Sequence, residues 1–83
     1  MTTGVQFTGS LTANQTQRWF TFNWPATWHV IWYMVPTSTQ TVPEVSWSVS
    51  VQRANATNCT YWITVTNMTG TPVTFEGRYA ILS

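Results

Sequence analysis

Trp28-His29-Val30-Ile31-Trp32-Tyr33-Met34-Val35 is the stretch on which the fold turns. It passes without a charge, a glycine or a proline, and its side chains are β-branched or aromatic apart from one Met and one His. Branched and flat side chains fit a pleated surface, and the run has the length of a strand. A strand sends alternate side chains to opposite faces. Trp28, Val30, Trp32 and Met34 then face one way, and His29, Ile31, Tyr33 and Val35 the other. Both faces are apolar, whereas a solvent-backed strand of a small antiparallel domain is polar on one side. The strand is therefore expected to be central and covered on both faces, with a second subunit as one source of cover.

Working outward, short alternating runs separated by turn signals repeat along the chain, and no helical period with caps interrupts them. Val5, Phe7 and Leu11 share a face, with Gly9 in the same row as the mark of a bulge or a close approach. Gln17–Asn23 comes next, with Arg18, Phe20 and Phe22 on one side and Trp19 and Thr21 on the other. Pro25 has no N–H to donate, so Trp24-Pro25-Ala26-Thr27 reads as a break. After a polar loop between Pro36 and Pro43 come Val45–Arg53, with Val45, Trp47, Val49 and Val51 inward, and Cys59–Asn67, with Cys59, Tyr61, Ile63 and Val65 inward. Gly70 is placed to turn with positive φ. Pro72–Leu82 closes the pattern, with Val73, Phe75, Tyr79 and Ile81 inward and Gly77 interrupting the row. The expectation is one all-β domain spanning residues 1–83, a small antiparallel six-stranded β-sandwich or barrel, its last three strands a meander.

Only 6% of the 83 residues are charged: Arg18, Arg53, Arg78, Glu44 and Glu76. A net charge of +1 lacks the basic footprint of a nucleic-acid binder and offers little repulsion against self-association. A domain this short buries a limited share of its surface and leans on disulfides, metals or oligomerisation. One Cys excludes an internal disulfide, and one His with one Cys makes no metal motif, so no cofactor or metal is expected. A homo-oligomer, a trimer or larger, is the expected support. Met1-Thr2-Thr3-Gly4 lacks the start of a secretory signal, and no run reaches the ~18 apolar residues of a spanning helix. Cytoplasmic synthesis is expected, with external release open. Asn-x-Thr triplets at Asn14, Asn55, Asn58 and Asn67 are read as chance in a Thr-rich chain.

Catalysis finds little material. Glu44 and Glu76 are the only carboxylates, and Glu76 lies two residues from Arg78 on one strand face, which reads as a surface ion pair. Cys59 lies on an inward row, where a free Cys is a small buried hydrophobe. The chain is expected not to be an enzyme.

The Trp residues carry the functional reading. Trp47, alternating with valines, is expected in the core. Trp62 shares its face with threonines and is either an interface anchor or a ligand platform; Trp19 resembles it. Trp24 and Trp28 bracket Pro25 and are placed as the walls of one pocket, with His29 either a structural residue or a polar contact there. Arg53 and Asn55 supply hydrogen bonds beside a strand end. Sugar rings present C–H faces to aromatic planes and hydroxyls to Asn, His and Arg. Trp24, Trp28, His29, Arg53, Asn55 and Trp62 are therefore the candidate ligand-binding residues of a carbohydrate-binding protein, a lectin for glycans or glycoconjugates made multivalent by oligomerisation. A membrane-active, toxin-like β-protein and a structural assembly subunit are the alternatives; membrane contact is expected only through glycans or surface Trp.

The order of strands and turns from Thr27 to Leu82, and the runs Val45–Arg53, Thr60–Asn67 and Val73–Leu82 in particular, resembles the C-terminal two-thirds of the H-type lectin domain. That resemblance implies a six-stranded sandwich that assembles as trimers and binds N-acetylgalactosamine or related sugars. The family commonly has a Trp-His pair near the turn before the last strand. Here that turn reads Asn67-Met68-Thr69-Gly70 and the Trp-His pair is Trp28-His29, so neither that sugar contact nor the sugar's identity carries over.

Overall fold

The computed structural model describes residues 1–82. They form six strands: β1 (Thr2–Leu11), β2 (Thr16–Pro25), β3 (His29–Pro36), β4 (Val45–Arg53), β5 (Asn58–Asn67) and β6 (Val73–Leu82). All pairings are antiparallel, in two three-stranded sheets ordered β1-β6-β3 and β2-β5-β4. The chain is a small all-β sandwich.

Chain neighbours mostly lie across the core rather than beside one another. β1 meets β2 through Gln6 Nε2, which donates to Thr21 Oγ1 at 3.2 Å, and through Phe7 stacked 5.7 Å from Trp19. β3 meets β4 where Tyr33 and Trp47 pack edge to face at 5.5 Å. Only β4 and β5 form a hairpin within one sheet, so the expected β4-β5-β6 meander is broken: β6 crosses to the other layer. Ile63 and Val65 of β5 and Val73 and Phe75 of β6 are all buried. Two wholly apolar rows bury more surface facing each other than lying side by side.

β3 is not the central strand. It is an edge, paired with β6 alone, and it begins at His29 rather than Trp28. Trp32 and Met34 are buried, but Ile31 and Tyr33 on the opposite face are more than half exposed. The alternate face is apolar as expected but not covered as expected: among the described residues only Trp47 packs against it, at Tyr33. β5 and β6 are the middle strands.

Two bulges reset the alternation. On β1 the register shifts between Val5 and Phe7, which turns Val5 outward while Phe7, Gly9 and Leu11 stay inward. On β2 it shifts between Thr21 and Trp24, where Asn23 adopts φ 66°. An extra residue in a strand moves the next side chain to the other face. Trp24 is thereby returned to the core, and β2 continues to Pro25, whose missing N–H costs no ladder bond at the end of an edge strand. Trp19 and Thr21 form the inward row, correcting their expected outward placement. The Thr21 hydroxyl accepts the Trp24 Nε1–H at 2.9 Å.

Gly9 and Gly77 mark close approach. A Cβ on Gly9 would lie 2.8 Å from both the Phe75 and Trp19 rings, and one on Gly77 would collide with the Phe7 ring. The rings occupy the space that side chains would fill. Trp47, expected in the core, is only half-buried beside it.

Asn67 ties one end together. Its Nδ2 donates to the carbonyls of Thr12 (3.0 Å) and Thr71 (2.8 Å), and its Oδ1 accepts from the Thr69 N–H (2.9 Å) and hydroxyl (2.6 Å). This side chain, not a left-handed glycine, closes the β5–β6 turn: no described glycine has positive φ, Gly70 included.

Candidate functional site

The outer face of the β2-β5-β4 sheet gathers the exposed aromatic surface. Cross-strand register sets its rows. Arg18, Thr64 and Ser48 form one, and Phe20, Trp62 and Ser50 the next. Phe20 and Phe22 are 58% and 59% exposed, an unusual state for two such rings, and they stack at 6.1 Å with 28° between their planes. Phe20 lies 5.1 Å from the Trp62 ring.

Trp62 is held from two sides. Its Nε1 donates to Gln52 Oε1 at 2.8 Å. The Arg18 guanidinium carbon lies 4.2 Å from the ring centroid, a cation–π contact. The same guanidinium carries N–H donors suited to an acceptor. The result is a shallow apolar platform of Phe20, Phe22 and Trp62. Arg18 lies at one margin, and the β4 row Ser48, Ser50 and Gln52 at the other.

The residues expected to bind ligand do not converge. Trp62 is on this face. Trp24 is 9% exposed and belongs to the core cluster, its ring edge-to-face with Trp32 and Tyr79 at 5.3 Å each. It packs edge to face with Trp28 as well, at 6.3 Å and 73°, so the two do not form facing walls. Asn23's bulge is the cause, since plain alternation would have placed Trp24 outward. Trp28 is 45% exposed in the β2–β3 turn, and His29 is exposed at the start of β3 opposite Leu82. Arg53 donates from its Nη1 to the Ala56 carbonyl at 3.4 Å. Asn55 Oδ1 accepts from the Thr57 N–H and hydroxyl and from the Asn58 N–H, at 2.9–3.0 Å, which makes it a turn brace. Trp28, Arg53 and Asn55 do share one end of the sandwich, where Ala26 N–H bonds the Thr57 carbonyl.

Phe20 and Phe22 are the platform residues absent from the expected set. The signal for them was Arg18: a charged side chain in the same alternation marks the side of β2 that faces water. A concavity of about 410 Å³ lies elsewhere, on the outer face of the other sheet between Val5, Ile31, Tyr33, Arg78 and Ala80. Cys59 is buried in the core, and Glu76 pairs with Arg78 at 2.9 Å. Among the described residues, no three His, Cys, Asp or Glu side chains come together.

No family model, curated protein or solved structure matches this chain.

Proposed function

We propose that the protein is a carbohydrate-binding protein that seats a sugar ring on the outer face of the β2-β5-β4 sheet. One observation carries the reading. Two exposed phenylalanines adjoin a tryptophan clamped by Arg18 and Gln52, on a face otherwise built of Ser and Thr. Aromatic planes receive the C–H face of a pyranose, and Arg18, Gln52, Ser48 and Ser50 are of the type that bonds its hydroxyls. Small-molecule sites combine apolar and aromatic surface with a few placed polar groups. Such single-site binding is weak, and joining several copies raises it. The site assignment thereby moves from the Trp24–Trp28 turn to Phe20, Phe22 and Trp62, with Arg18 and Gln52.

The test is a glycan array run on the wild type and on Phe20→Ala, Phe22→Ala and Trp62→Ala. The expected result is binding by the wild type and its loss in the variants, with thermal melts showing that each folds. Glycan binding that survives all three substitutions overturns the site. Absence of glycan binding accompanied by leakage of phospholipid vesicles overturns the function in favour of a membrane-active protein.

A further inference from the structure

The four edge strands of the sandwich are not alike. β1 and β2, which face each other on one flank, each carry a bulge. β3 and β4, on the other flank, keep regular register from end to end. Bulges, charges and prolines are the means by which an edge avoids pairing with another chain. β4 has none of them before its last residue: Val45-Ser46-Trp47-Ser48-Val49-Ser50-Val51-Gln52 is uncharged and contains neither Pro nor Gly. Alternate residues of an edge strand point their N–H and C=O away from the sheet, open to a further strand.

β3 does not offer the same edge. Tyr33 reaches Trp47 across the flank, and β3 ends in Pro36. Past Trp47, however, the inward row of β4 is uncovered. Val49 is 38% exposed and Val51 60%, although Ile63 and Tyr61 opposite them on β5 are buried. An apolar inward row with a buried neighbour on one side and solvent on the other lacks a strand.

We propose that β4 is a self-pairing edge. Two copies of the chain join β4 to β4 antiparallel about a two-fold axis, which turns β2-β5-β4 into a continuous six-stranded sheet. The sequence of β4 fits a second copy of itself. With the axis at Ser50, Val49 lies against the partner's Val51 and Ser50 against the partner's Ser50, so valine meets valine on the inner face and serine meets serine on the outer. No like charges meet along the Val45–Gln52 run. Both equivalent edges are consumed, so the assembly closes rather than extending into a fibre. Trp62, Ser50 and their partner equivalents then fall in one row, with the two indoles about 14 Å apart over three strand spacings. The pairing stands whether or not the face binds sugar.

Native mass spectrometry and sedimentation of the full chain over a concentration series test it. The expected state is a dimer or an even multiple. Ser50→Lys, on the solvent side of β4, places like charges opposite each other at the axis. It should weaken association about tenfold or more while leaving the melt of the dilute protein unchanged. Ser50→Cys should yield a covalent dimer under mild oxidation that the wild type, with its single buried Cys59, does not form. A monomer at every concentration, a trimer, or a dimer indifferent to Ser50→Lys and untrapped by Ser50→Cys overturns the proposal. A dimer split instead by Ile31→Lys assigns the interface to the outer face of the other sheet and overturns it as well.

Discussion

The guanidinium carbon of Arg18 sits 4.2 Å from the centre of the Trp62 ring. The contact joins the one charged side chain of the outer β2-β5-β4 face to its one indole. An exposed cation–π contact contributes about 0.5–1 kcal/mol. Arg18→Gln should therefore cost little stability, measured as the urea midpoint. It should lower glycan binding several-fold, because it removes one of the two holds on the indole and the guanidinium donors together, while the Gln52 hydrogen bond stays. Trp62→Phe should keep part of the binding and Trp62→Ala none. Titration of the variants against the best array ligand separates these outcomes; equal affinity across all of them would remove this face from the site.

Asn67 is the side chain whose loss should weigh most per atom removed. Asn67→Ala strips four hydrogen bonds and leaves the Thr69 N–H in need of a partner, while the Thr12 carbonyl keeps the Gln15 N–H at 3.1 Å and the Thr71 carbonyl keeps the Thr69 hydroxyl at 3.2 Å. Leaving a polar group of this kind unsatisfied costs roughly 1–3 kcal/mol, so a loss of about 2–3 kcal/mol is expected from chemical denaturation. Asn55→Ala, which removes an exposed brace of the β4–β5 turn, should cost about 1 kcal/mol. A reversed order would show that the Asn67 turn is not where the layers are joined.

Gly77→Ala should be more harmful than its size implies. The added methyl enters the volume of the Phe7 ring, whose neighbours are Trp19 at 5.7 Å and Phe75 at 6.1 Å. Overpacking of this kind costs about 1–3 kcal/mol. Phe7→Leu in the same chain vacates that volume, so the double variant should lose less than the sum of the singles. Strict additivity, read from denaturation midpoints, would contradict the contact.

Tyr61 sets an upper pH limit. Burial raises its phenol above the usual value of 10.0, and the nearby Cys59 thiol adds to the rise. In the unfolded chain the phenol ionises near pH 10, while in the fold it still holds its proton. Above pH 10 the unfolded state therefore binds fewer protons, and stability falls as pH climbs toward the raised folded value. Below pH 10 this group contributes no slope. Melting temperatures measured from pH 9 upward should decline more steeply in the wild type than in Tyr61→Phe; parallel curves would assign the alkaline loss elsewhere.

Most of the architecture was legible in the sequence because inward and outward residues alternate along four of the strands. β6 reads Val73, Phe75, Gly77, Tyr79, Ile81 in one row, and the structure keeps that row. The departures cluster at Gln6 and Asn23, where a single unpaired residue inverts the phase of the residues after it. Neither is a glycine, so nothing in composition announced the bulge. The same event buries Trp24 and dissolves the pocket expected beside Pro25. Phe20 and Phe22 share the side of Arg18 as alternation places them; the site reading followed the Trp residues and left these two rings without a role. The exposure of Val49 and Val51 was not legible, because alternation tells which face a side chain takes but not whether anything lies over it.

The strand order has a further meaning for the path by which the chain acquires its shape. β1 and β3 share no hydrogen bonds and are joined only by β6, the last strand of the six; β2 and β4 are likewise joined only by β5. The β4–β5 hairpin is the single pairing between chain neighbours, and it alone can form without closing a long loop. On a ribosome, the first four strands would emerge with no complete sheet among them, and Phe7, Trp19, Trp24 and Trp32 would wait in solvent until β5 and β6 arrived. Refolding should accordingly be slow for so short a chain, with protection from amide exchange appearing first across Val45–Asn67 and last along β1.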